Sequence, residues 1–192
     1  MQGIYRAIYP NKCLFCDKVL TAKDDFLCAC CAVLGHAPFL YDDVVKIPVF
    51  ALKYSGVKTL VYPMARAMYA SLPADVSADF LLPVPLHGNR IKERGFNQSE
   101  LLAAELSEML KIPAVDGLFR TRDTKPQNVL NPAQRKENIS GAFALKDGFD
   151  PKNSRILLVD DIVTTGSTAQ ECEKLLMDAG ALDVQLIVFA KA

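Results

Sequence analysis

Residues 155–168 read RILLVDDIVTTGST, from Arg155 to Thr168. Ile156 to Val159 form an apolar run that reads as a buried strand, and Asp160 and Asp161 lie at its carboxyl end. Thr164, Thr165, Gly166, Ser167 and Thr168 follow as a polar turn leading into a helix. Open α/β sheets bind ligands at that edge. Such a turn aims backbone N–H groups and hydroxyls at one spot, at the positive end of the next helix, and this suits a phosphate. The two carboxylates repel the same phosphate, so they face another part of the ligand, either hydroxyl donors or a divalent metal. A phosphate at one end and vicinal hydroxyls nearby describe a ribose 5-phosphate.

Two rival readings of the string lack their other parts. A nucleotide hydrolase needs a Gly-rich loop ending in Gly-Lys-Ser/Thr, and the sequence contains none. A phosphoacceptor receiver domain needs most of its length after the acidic pair, whereas 32 residues follow Asp160.

Working outward, strand-like and helical patterns alternate. VVKIPVFALKY (44–54) is expected to be a strand and VKTLVYPMARAMYASL (57–72) a helix with Leu60, Met64 and Met68 on one face and a kink at Pro63. DFLLPVP (79–85) reads as a buried strand, and NQSELLAAELSEMLK (97–111) as an amphipathic helix with Leu102, Leu106, Met109 and Leu110 inward. VDGLFRTR (115–122) and GAFALK (141–146) read as strands around a polar stretch. STAQECEKLLMDAG is a helix closed by Gly180, and VQLIVFA a last strand. The alternation predicts an α/β fold with a mostly parallel sheet covered on both faces.

Of the 192 residues, 51% are hydrophobic, enough for a real core, and 22 basic residues balance 22 acidic ones. The chain as a whole therefore has no polyanion-seeking field, and any nucleic-acid affinity has to come from a local patch. The first residues lack the pattern of a signal peptide and no apolar run is long enough to span a membrane, so a cytoplasmic location is expected.

Five of the six cysteines fall between Cys13 and Cys31. Cys13 and Cys16, then Cys28 and Cys31, form two Cys-x-x-Cys knuckles eleven residues apart, a spacing that can place four thiolates around a structural zinc; Cys30 competes with Cys31 for the fourth place. The expected organisation is a zinc-binding unit over residues 1–40 and an α/β domain over 41–192. Cys172 reads as a small core residue.

PVPLHGNRIKERGFNQSELLA (83–103) is the second informative string. Pro85, Leu86 and His87 follow its strand, and Arg90 and Arg94 share a face if the segment coils, making a second anion site. The polar stretch 120–138 is rich in basic residues.

VDDIVTTGST resembles the phosphoribosyl pyrophosphate (PRPP) motif of type I phosphoribosyltransferases. Together with KYSG (53–56), the 83–103 string, the stretch from Thr124 and Gln127 to Arg135 and Asn138, Gly141-Ala142-Phe143 and the four-cysteine unit, the chain resembles the ComF family of competence-related phosphoribosyltransferase-like proteins over nearly its whole length. The resemblance implies a type I phosphoribosyltransferase fold. It implies that Asp160 and Asp161 contact ribose hydroxyls, that Thr164 to Thr168 hold the 5-phosphate, and that pyrophosphate leaves on the side of Arg90 and Arg94. It implies PRPP with Mg²⁺ as ligand and a mobile loop at Thr124, Gln127, Arg135 and Asn138. It further implies a role in natural transformation through single-stranded DNA and DNA-import or helicase proteins. Two alternatives carry the same motifs: a non-catalytic PRPP sensor or single-stranded-DNA-binding protein, with Phe96, Phe119 and Phe143 as stacking surfaces, and a housekeeping phosphoribosyltransferase of nucleotide metabolism.

Overall fold

The computed structural model describes residues 39–73, 76–122, 139–163 and 166–191. The cysteine unit, with Cys13, Cys16, Cys28, Cys30 and Cys31, lies outside them.

A four-stranded, all-parallel sheet forms the centre: β1 (Phe39–Leu40), β2 (Phe80–Pro83), β5 (Arg155–Val163) and β6 (Asp183–Lys191), in the spatial order β1-β6-β5-β2. The apolar run expected to be a buried strand is β5, which pairs with β2 from Ile156 to Val159 and with β6 over most of its length. Residues of alternate parity on β5 face two separate cores, as the strand period of two requires. Leu157 and Val159 join one and Ile156 and Leu158 the other.

Helices α1 (Asp43–Ser55), α2 (Val61–Ser71), α3 (Gly88–Arg94) and α4 (Gln98–Leu110) precede the β3 (Leu118–Arg120) and β4 (Phe143–Leu145) ribbon, and α5 (Ser167–Asp178) joins β5 to β6. The first core takes Val45 and Val49 from α1, Met64 and Met68 from α2, and Leu102 and Leu106 from α4, all buried. The second takes Leu118 and Phe143 from the antiparallel ribbon and Cys172 and Leu176 from α5. Cys172 is thus the core residue expected from sequence, and burial pushes its thiol pKa up.

The segment 44–54 is a helix and not the expected strand. Asp42 caps it, its carboxylate accepting from the N–H groups of Val44 and Val45, and Gly56 closes it in the left-handed region at φ 64°. Val45, Val49 and Leu52 bury at helical spacing, and β-branched composition yields to that periodicity. Pro48 lies inside, six residues beyond the cap. Pro63 falls in the first turn of α2, which follows a 3-10 turn (Lys58–Leu60), where a missing N–H breaks no helix-interior bond. Gly180 closes α5 as expected. At φ 97° it lets its own N–H reach Met177 O and that of Ala181 reach Leu176 O, the paired bonds of a Schellman motif.

The chain leaves β2 in one direction and β5 in the other. After β2 it passes through α4, against the first core, to a bridge between Leu81 and Ala114 on the side of β2 away from β5. After β5 it passes through α5, against the second core, to β6 on the opposite side. The carboxyl ends of β2 and β5 therefore flank a crevice that no crossover covers, the place where such sheets bind ligands.

Candidate functional site

β2 stops pairing with β5 at Val159, where the Val84 N–H donates to the Val159 carbonyl at 2.9 Å. Asp160 and Asp161 are the next two residues of β5, so they stand where the sheet opens. Strand geometry turns them to different surroundings. Asp160 lines a small cleft with Gly166, Ser167 and Thr168 at the start of α5. Asp161 is 3% exposed and lies among residues of α1 and α4.

Gly166 is the N-cap of α5 at φ 76°, a conformation that suits glycine, and its carbonyl accepts the Gln170 N–H. Thr164 and Thr165 lie outside the described residues. Gly166, Ser167 and Thr168 open α5 and line the cleft with Asp160.

The string 83–103 resolves into a capping and bonding system. His87 caps α3, its Nδ1 accepting the Asn89 N–H at 3.3 Å, and Gly95 ends the helix in the left-handed region. Asn97, 2% exposed, caps α4 by accepting the Ser99 N–H and fastens that helix to the crevice by donating to the Val84 carbonyl at 3.1 Å. Pro85 is buried, and Leu86 and His87 are half-buried on the connection from β2 to α3. Arg90 and Arg94 are brought together on one face of α3, where they line a cleft of about 160 Å³ with Lys53, Tyr54 and Glu93. Arg94 also lies over the Tyr54 ring, 5.7 Å from its centroid.

Four residues of the site escaped the sequence reading. Lys53, in the last turn of α1 just ahead of the Gly56 cap, places its ammonium 2.5 Å from Asp161 Oδ2. Gln98, 3% exposed, donates to Asp161 Oδ1 at 3.4 Å and accepts from Arg94 Nη1. Ser99, fully buried, donates its hydroxyl to Asp160 Oδ1 at 2.8 Å, and Asn97 holds the turn that carries them both. The available signal was three consecutive polar side chains ahead of Leu102, at helix positions that packing alone would fill with apolar groups.

The surroundings raise the pKa of Asp160 to about 7. Burial is the main cause and the neighbouring Asp161 charge adds to it, against the opposing pull of Lys53, the Ser99 hydroxyl and the Asp161 N–H.

The basic stretch 120–138 is described only at its base, with Thr124, Gln127, Arg135 and Asn138 outside the described residues. That base is the β3–β4 ribbon, extended by the bond from Thr121 N–H to the Ala142 carbonyl. The Gly141 N–H donates to Glu171 of α5 at 2.7 Å, which ties the end of the ribbon to that helix. Of the three phenylalanines considered for stacking, Phe143 is buried beneath Arg120, Phe96 packs half-buried against the first core, and Phe119 is exposed.

The phosphoribosyl transferase domain family matches residues 91–192. The chain is 39% identical to competence protein F of Haemophilus influenzae over 96% of this chain and 80% of that protein. It is 40% identical to DNA utilization protein YhgH of Escherichia coli over 56% of this chain and 47% of that protein. It is 29% identical to competence protein ComFC of Bacillus subtilis over 76% and 59%. Among solved structures, the allosteric regulatory enzyme of purine biosynthesis superposes over 69% of this chain and 26% of its own, at 23% identity and a TM-score of 0.48. Among the described residues, no helix is long and apolar enough to cross a membrane.

Proposed function

We propose that this chain, which belongs to the ComF family and carries the phosphoribosyl transferase domain, binds PRPP with Mg²⁺ in the crevice between β2 and β5 and transfers the phosphoribosyl group to an acceptor. The observation that supports this reading is the placement of the Asp160 carboxylate beside Gly166, Ser167 and Thr168 at the start of a helix and at the switch point of the sheet, a setting suited to a phosphate and neighbouring hydroxyls.

In this reading the start of α5 holds the 5-phosphate, and Asp160 and Asp161 accept from the ribose hydroxyls. Arg90 and Arg94 neutralise the diphosphate. The reaction breaks the bond from C1 to the pyrophosphate oxygen and forms one from C1 to the acceptor. Positive charge grows on C1 and negative charge on the departing diphosphate, so fixed cations on one side and fixed carboxylates on the other both favour the transition state. In this reading Mg²⁺ arrives on the substrate's diphosphate. There it would lower the charge of the leaving group.

The relatives' names, competence protein and DNA utilization protein, support a role in handling incoming DNA, with single-stranded DNA or the import and helicase proteins that carry it as partners. The four cysteines Cys13, Cys16, Cys28 and Cys31 would hold a structural zinc beside this domain.

Calorimetric titration of PRPP with Mg²⁺ tests the reading. Saturable one-to-one binding is expected, weakened about tenfold or more in Asp160→Asn, since a carboxylate hydrogen bond to a hydroxyl is of the stronger, charge-assisted kind. A folded wild-type protein that does not bind would refute it and make DNA or a protein partner the ligand to pursue.

A further inference from the structure

Two routes join the cationic cleft to the second aspartate. Lys53 touches Asp161 directly, at 2.5 Å, and Arg94 reaches it through Gln98. Both cations also line the cleft with Arg90. Lys53 is 18% exposed at its side chain and Asp161 only 4%, so the ammonium sits on the boundary between the buried carboxylate and the open cleft. A lysine carries a compact charge on a flexible stem and can redirect it by rotation, which a forked guanidinium held on two partners does less readily. An ammonium aimed at Asp161 is not aimed into the cleft. Moving it away strands a buried carboxylate unless new donors arrive, because an unpaired buried charge is strongly disfavoured.

We infer that Lys53 is a shared binding residue: paired with Asp161 in the free protein, it turns to a diphosphate entering the Lys53–Arg90–Arg94 cleft and so frees Asp161 Oδ2 to accept from a ribose hydroxyl. The inference rests on the ribose and diphosphate reading above. Its consequence is linkage. A diphosphate draws Lys53 off Asp161 and opens the ribose subsite, while a ribose hydroxyl on Asp161 releases Lys53 to the cleft. Each ligand then tightens the other by the same factor. Gln98 donates to the other oxygen, Asp161 Oδ1, at 3.4 Å, so it is Oδ2 that needs a new donor when Lys53 turns away.

The test uses the full chain at fixed Mg²⁺ with two separate probes, ribose 5-phosphate and inorganic pyrophosphate. In wild type, saturating pyrophosphate is expected to tighten ribose 5-phosphate about fivefold or more, with the reciprocal effect equal. Lys53→Met abolishes this coupling and Lys53→Arg restores part of it. Asp161→Asn, which removes the competing partner, binds pyrophosphate alone several-fold more tightly than wild type while binding ribose 5-phosphate less well. That rise keeps the inference testable if Lys53→Met does not fold, and it should vanish when Asp161→Asn is combined with Lys53→Met, where the lost negative charge alone would leave it. Independent binding of the two probes in wild type overturns the inference, as does coupling that survives in Lys53→Met or an unchanged pyrophosphate affinity in Asp161→Asn. Binding of neither probe to folded wild type overturns the site reading itself.

Discussion

Asp160 and Asp161 are neighbours in one strand, yet Ser99 holds the first at 2.8 Å beside the start of α5 and Lys53 holds the second at 2.5 Å at the end of α1. The acidic pair is therefore two differently tuned groups, one with its charge compensated by a lysine and one with its pKa raised towards neutrality.

Asp160→Asn is expected to stabilise the protein at pH 8 by on the order of 1–2 kcal/mol, because it removes a buried like-charge repulsion while the amide oxygen still accepts from Ser99 and the Asp161 N–H. The folded pKa of about 7 lies above the ordinary value of 3.8, so protonation favours the fold. Wild-type stability from this group is complete below about pH 4 and is lost as pH rises towards 7. Thermal melts from pH 4 to 8 should show the variant gaining on wild type across that interval. A constant difference would contradict the assigned titration.

PRPP affinity should follow the opposite course. If the Asp160 carboxylate accepts from ribose, binding weakens as pH falls below about 7 and the group protonates, approaching a tenfold loss per unit. Titrations at pH 6 and 8 measure it, and Asp160→Asn should flatten the profile.

Asn97→Ala removes the α4 cap and the donor to the Val84 carbonyl together, for a loss of about 2 kcal/mol. Because that turn carries Gln98 and Ser99, pyrophosphate and PRPP binding should weaken even where the variant remains folded. Denaturant unfolding paired with calorimetry separates the two effects.

A methyl group on Gly117 would meet the Phe149 ring at 2.6 Å. Phe149 packs edge-on to Phe80 within the second core, so Gly117→Ala should cost about 1–3 kcal/mol by overpacking. The position is remote from the crevice, and ligand affinity of the folded fraction should be unchanged.

Purified protein should carry about one equivalent of zinc by elemental analysis, as a closed four-thiolate site requires, and lose it when Cys13 or Cys28 becomes serine. Less than about half an equivalent, with titratable thiols, would count against the knuckle.

The strand and acidic pair of residues 155–163 were legible because an apolar run, a polar turn and an amphipathic helix each have a distinct signature, and the two arginines of α3 were legible from their spacing. Residues 44–54 were not: Val44, Val45, Ile47 and Val49 favour a strand by composition, and the helix is decided by the Asp42 cap and by burial against β-sheet partners far along the chain. Lys53, Gln98 and Ser99 were hidden for a related reason. Their partners, Asp160 and Asp161, become neighbours only once β2 lies beside β5, and no local pattern encodes that meeting.

The phosphoribosyl transferase domain match begins at residue 91, inside α3. A fragment trimmed to that boundary would lack β2, exposing one edge of the central strand, and would lack α1, which brings Lys53 to Asp161 and part of the first core. The smallest autonomous folding unit therefore extends upstream to take in Lys53 and Phe80–Pro83, and excised versions that begin at the homology boundary should fail to fold, whatever chemistry the intact chain performs.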